Sequence, residues 1–143
     1  SKKRKFREIV FQLTFSKDLN SGTDALLSCA LLDQMKITKK NLREAFDQVA
    51  HIIEKQEEID ALISKGSKGY DFNRISIVER NILRLAVFEL FFEKKLPFKV
   101  VISEAIRLTR KFGTPDSAAF VNAVLETIHQ NKNRTQKLLL SSI

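Results

Sequence analysis

Ser76-Ile77-Val78-Glu79-Arg80-Asn81-Ile82-Leu83-Arg84-Leu85-Ala86-Val87-Phe88-Glu89-Leu90 is the stretch that decides the fold. Ser76 and Glu79 stand three apart ahead of an apolar run, the spacing of a capping box in which a hydroxyl and a carboxylate satisfy free amides of a helix start. Ile82, Leu85, Ala86 and Leu90 then recur at helical spacing, and Pro97 forbids the helix from continuing. Downstream, a helix is expected from about Lys99 to Phe112, with Gly113 as its C′ residue and Arg110 and Lys111 suiting its C-terminal dipole. Thr114-Pro115-Asp116 offers a cap ahead of a proline in a first turn, and the helix that follows buries Val121, Val124, Leu125 and Ile128.

Upstream the same period holds. Phe6, Ile9, Val10 and Leu13 make an amphipathic first helix, and Asn20-Ser21-Gly22-Thr23 is a turn. Leu26, Leu27, Ala30 and Leu31 share a face of a second helix. Thr38 caps a third, which carries Leu42, Ala45, Phe46, Val49, Ile52 and Ile53. Ile59, Leu62 and Ile63 mark a shorter helix ended by Gly66 and Gly69. The expectation is an all-α protein, one compact bundle of about six to seven helices forming a single domain over residues 1–143. Residues 1–7 form a basic arm and residues 131–143 a flexible tail. The closing Leu138-Leu139-Leu140 is open to three readings: a loose tail, a docking segment, or part of a further helix.

Of the 143 residues, 43% are hydrophobic and 29% charged, a globular composition. No apolar run exceeds four residues, so no bilayer-spanning helix is expected, and the lone Cys29 fits a reducing cytoplasm. The net charge of +8 sits at the ends. Lys2, Lys3, Arg4, Lys5 and Arg7 lie in the first seven residues without an acid, and Lys132, Arg134 and Lys137 follow the last acid, Glu126. The body between is formally neutral. Clustered cations of this kind attract polyanions.

Catalytic chemistry is missing from the pattern. His51 and His129 stand in no metal-ligand spacing, and Gly66-Ser67-Lys68-Gly69 lacks the spacing and the preceding strand of a phosphate loop. Glu57 and Glu58 point in different directions on a helix. No enzyme, metal or cofactor is expected.

The stretch Val78–Leu90 resembles a signature of the NusB transcription antitermination family. The resemblance continues through Leu96-Pro97-Phe98-Lys99-Val100-Val101-Ile102-Ser103-Glu104-Ala105, Lys111-Phe112-Gly113-Thr114-Pro115-Asp116-Ser117 and Phe120-Val121-Asn122-Ala123-Val124-Leu125. Lys3-Arg4-Lys5-Phe6-Arg7-Glu8 with Gln12 and Phe15 is similar to the family's basic opening. Ser103 departs from the usual Asn, Ala123 from a common Gly, and Phe15 and Phe88 from frequent Tyr. The extra methyl of Ala123 implies slightly looser helix packing.

The resemblance implies two helical subdomains and a non-catalytic factor. Such a factor binds boxA-type single-stranded RNA of nascent ribosomal transcripts with the small-subunit ribosomal protein that acts as NusE. Together they form part of an RNA polymerase antitermination complex. It assigns RNA binding to Lys2, Lys3, Arg4, Lys5 and Arg7, stacking to Phe15 and Phe120, and a place beside the RNA to Asp116. Glu79 and Arg84 fall at positions for the ribosomal-protein partner, although Glu79 also completes the capping box. Two other readings stand beside this one. The chain could be the RNA-binding N-terminal domain of a ribosomal-RNA methyltransferase, or a protein-interaction module without RNA. Self-association as a homodimer is also open.

Overall fold

The computed structural model describes residues 2–19 and 37–141. The expected turn at Asn20–Thr23, the second helix and Cys29 lie outside the described residues. Six α-helices and no strand occur among the described residues. The chain divides into two compact units, Ser1–Gln56 and Glu57–Ile143.

In the first unit, α1 (Lys2–Leu19) packs against α2 (Lys39–Glu54). Ile9, Val10, Phe11 and Leu13 of α1 and Leu42, Ala45, Val49 and Ile52 of α2 are buried. These are the expected faces with three departures: Phe11 is added, Phe6 and Phe46 are only half-buried, and Ile53, expected on the face of α2, is exposed. Thr38 caps α2 as expected, its hydroxyl accepting from the Asn41 amide at 3.1 Å.

The second unit holds α3 (Gln56–Gly66), a 3-10 turn at Phe72–Arg74, α4 (Ile77–Phe88), α5 (Phe98–Phe112) and α6 (Ser117–Ser141). α4 is the central element, buried at every position from Asn81 to Phe88, and it packs on both α5 and α6. The Ser76 half of the capping box is formed, with Oγ accepting from the Glu79 amide at 3.1 Å. α4 stops before Pro97 is reached. It widens into a π turn at Glu89–Glu93, and Lys94 closes that turn in the left-handed region (φ 57°), its amide donating to Glu89 O.

Three expectations are corrected here. Gly113 is extended (φ −100°) rather than left-handed; a Cβ there would lie 2.8 Å from both Ser117 Oγ and Thr109 O, so close approach is what demands glycine. Ala123 is exposed, so its methyl meets solvent and loosens no packing. Residues 131–141 continue α6 instead of leaving it as a tail, since no Gly or Pro interrupts the chain after Pro115.

Gly66 closes α3 inside the core. A Cβ there would stand 2.5 Å from Cγ1 of the buried Ile128 and 3.2 Å from Val124 O. Gly66→Ala should therefore cost about 1–3 kcal/mol through overpacking, outweighing the roughly 1 kcal/mol of helix propensity gained. Urea unfolding checks this, and the loss should be smaller in an Ile128→Ala background, where the clash is removed.

Candidate nucleic-acid interface

The basic opening is folded. α1 begins at Lys2, so the arm expected to precede the helix is its first turn, made of good helix formers. Lys3, Arg4 and Lys5 are exposed and Arg7 is half-buried. The first turn contains no acid. The amino end of a helix carries partial positive charge from its free amides, and here the cations add to it. An anion such as a phosphate relieves both at once. Further along α1, Phe15 is half-buried, its ring 6.0 Å from that of the buried Phe11.

In the second unit, Asp116 and Phe120 lie at the start of α6. The turn from Thr114 to Asp116 is held by Ser117, whose Oγ accepts from the Thr114 amide (3.1 Å) while its own amide donates to Thr114 O (3.0 Å). This reverses the expected cap, with Ser117 rather than Thr114 accepting from an amide. Asp116 is exposed and its carbonyl accepts from the Phe120 amide. The half-buried Phe120 ring meets Tyr70, with centroids 5.3 Å apart and planes tilted by 54°.

Tyr70 was not singled out by the sequence reading. It is 50% exposed and follows a tight turn in which Lys68 (φ 45°) and Gly69 (φ 79°) are both left-handed and the Tyr70 amide donates to Ser67 O. The one available signal was local: the only tyrosine in the chain directly follows a Lys-Gly turn pair. The structure thus brings the half-buried Phe120 and the exposed Tyr70 together as an aromatic pair, with the exposed Asp116 one helical turn before Phe120. Tilted rings of this kind offer faces on which unstacked bases can lie.

Arg84 is placed differently from its expected role as a charged partner contact. It is buried (4% exposed), and its fork is engaged within the fold. Nε and Nη2 donate to Oδ1 and Oδ2 of Asp60, both at 2.8 Å, and Nη1 donates to Asn81 Oδ1 at 3.1 Å. Asn81 in turn donates to Ile77 O. Two guanidinium groups lie over the Phe72 ring, Arg80 at 5.6 Å and Arg84 at 5.8 Å from its centroid. Burial of α4 leaves an arginine there no water, so pairing is what makes the position tolerable. Glu79 is half-buried at the amino end of α4, where its charge suits the helix dipole.

Neither histidine joins a ligand cluster. His129 stacks on Phe98 (3.9 Å, 3° between planes), and His51 is exposed beside Glu54. Among the described residues no group of His, Cys, Asp and Glu could hold a metal ion, and no helix is long and apolar enough to cross a membrane.

The NusB family profile matches residues 4–130. The chain belongs to the NusB family. It is 34% identical over 139 residues to the transcription antitermination protein NusB of Desulforamulus reducens, covering 97% of each chain. Its fold is similar to that of T. maritima NusB, with 36% identity, a TM-score of 0.74 and 89% of each chain covered. It is also similar to a chain in a crystal structure of antitermination factors NusB and NusE in complex with dsRNA. There the identity is 28% and the TM-score 0.77, with 91% of this chain and 97% of that one covered.

The ion pair yields a clear expectation. Asp60→Ala leaves the buried guanidinium without its bidentate partner and should cost about 2–4 kcal/mol, less than for a fully buried pair because Asp60 keeps some exposure. Glu57→Ala and Glu58→Ala, one helix turn or less away and exposed, should stay within about 0.5 kcal/mol in the same denaturation assay.

Proposed function

We propose that this protein is a cytoplasmic, non-catalytic transcription antitermination factor. It binds boxA-type single-stranded RNA of nascent ribosomal transcripts together with the small-subunit ribosomal protein acting as NusE, within an antitermination complex on RNA polymerase. The observation that carries this reading is membership of the NusB family over residues 4–130, a span that includes Arg4, Lys5 and Arg7 of α1 and the Tyr70–Phe120 pair. The division of labour follows from chemistry. Lys3, Arg4, Lys5 and Arg7 neutralise phosphates and supply salt-dependent affinity with little sequence information. Phe120 and Tyr70 stack bases in the second unit, and Phe15 offers a stacking ring in the first.

Asp116 repels phosphate, so its contribution is selective: it accepts from a base amino group and limits binding to sequences that lack one there. Arg84 serves the partner surface indirectly, by fixing α4, while Glu79 stands nearer to solvent on the same helix. Relatives spanned over 97% of their length carry the antitermination name themselves, which favours this reading over a methyltransferase domain.

The test is a titration of labelled boxA-type RNA and a scrambled control, with and without the NusE ribosomal protein, across salt concentrations. Binding should be weak and steeply salt-dependent alone, and tight and sequence-selective with the partner. Equal binding to the scrambled RNA under all conditions would overturn the proposal. Within this assay, Phe120→Ala should lose about 1–3 kcal/mol of stacking, with Tyr70→Ala losing less. Lys3→Ala and Lys5→Ala should each lower the log–log salt slope by about 0.7. Asp116→Asn should bind more tightly; unchanged or weaker affinity contradicts the role given to the carboxylate.

A further inference from the structure

Apart from the residues considered so far, α3, the π turn and α6 enclose a cleft of about 240 Å³. Its apolar floor is Leu62, Phe91 and Ile128, with Asn131, Thr135 and Gln136 along α6 and Lys65 and Lys132 at its sides. No acidic residue lines it. Lys132 is positioned by a hydrogen bond from Nζ to Leu90 O (3.2 Å) and by the Phe91 ring, whose centroid is 4.9 Å away.

Ile128, Thr135 and Leu139 follow at intervals of seven and four residues, and so share one face of α6. Leu139 is 62% exposed and continues the floor one turn beyond Thr135. From Ile128 to Leu139 the face runs about 16 Å, some three turns. After Glu126 this helix carries Lys132, Arg134 and Lys137 and no acid. The outer half of the face lies beyond residue 130, where the family match ends.

We propose that this face is a docking groove for an acidic, amphipathic helical segment of a protein partner. Apolar side chains spaced three to four apart enter the cleft, and carboxylates flanking them meet Lys65 and Lys132. Charge selects this occupant. A second copy presenting the same helix would set Lys132, Arg134 and Lys137 against like charges. RNA could set phosphates against Lys65 and Lys132, but its sugars and phosphates would then cover the apolar floor of Leu62, Phe91 and Ile128, which apolar side chains fill at no such cost. A three-turn amphipathic acidic helix satisfies both the floor and the rim. The groove is independent of the RNA-binding reading.

Two labelled synthetic peptides of equal length test it by fluorescence anisotropy against the full chain. Both carry leucine at matching helical positions, one with glutamate and the other with lysine at the flanking positions. The glutamate peptide should bind with a Kd of roughly 10–100 μM, and the lysine peptide at least about tenfold more weakly. Lys65→Glu with Thr135→Glu, both at exposed positions, should weaken the glutamate peptide about tenfold or more with an unchanged melting curve. Equal binding of the two peptides, or no binding of either below about 1 mM, would overturn the proposal. So would displacement of the glutamate peptide by polyuridylate, or a dimer in sedimentation equilibrium that Thr135→Glu dissolves.

Discussion

The bidentate pair between Arg84 and Asp60 ties α3 to the buried centre of α4. Arg84 sits in the stretch of α4 that is buried at every position, and only a partner with fork-shaped geometry lets a guanidinium remain there. Asp60 belongs to α3, so the pair fixes the register of α3 against α4. Phe72, contacted by both Arg80 and Arg84, ties the 3-10 turn to the same point. The segment between those anchors contains the left-handed turn that ends in Tyr70, and so Tyr70 is held against Phe120. A buried charge pair of this kind adds little net stability compared with a well-packed apolar core. Its contribution is specificity of arrangement, passed outward to the partly exposed Tyr70–Phe120 pair.

Electrostatics divides the chain's interactions in a parallel way. The neutral body folds, while the cations gather at the first turn of α1 and the last half of α6. At α1 they augment the positive end of a helix dipole, a placement unfavourable in isolation and relieved by an anion. At α6 they flank an apolar cleft, which suits carboxylates carried on an apolar helix better than a phosphate chain.

What was legible in the sequence was local. The Thr38 and Ser76 caps, the buried set Val121, Val124, Leu125 and Ile128, and the helical spacing throughout depend on neighbours within a turn or two. What escaped depends on contacts between elements. Arg84 reads as a surface charge until Asp60, 24 residues earlier, is brought beside it. Tyr70 gains meaning only from Phe120, which no periodicity connects to it. Pro97 looked like the stop of α4, whereas a left-handed lysine three residues earlier closes the helix. Polarity after Asn131 looked like a tail, although polar residues with good helix propensity extend α6 freely.

The most direct test of the account is a map of amide chemical shifts in the isotope-labelled protein as short boxA-type RNA is added. The account predicts that residues 3–7 of α1 shift, and that Tyr70, Asp116 and Phe120 of the second unit shift as well, while the cleft residues Leu62, Thr135 and Leu139 stay unmoved. Shifts confined to the cationic turn, or concentrated on the cleft, would contradict it.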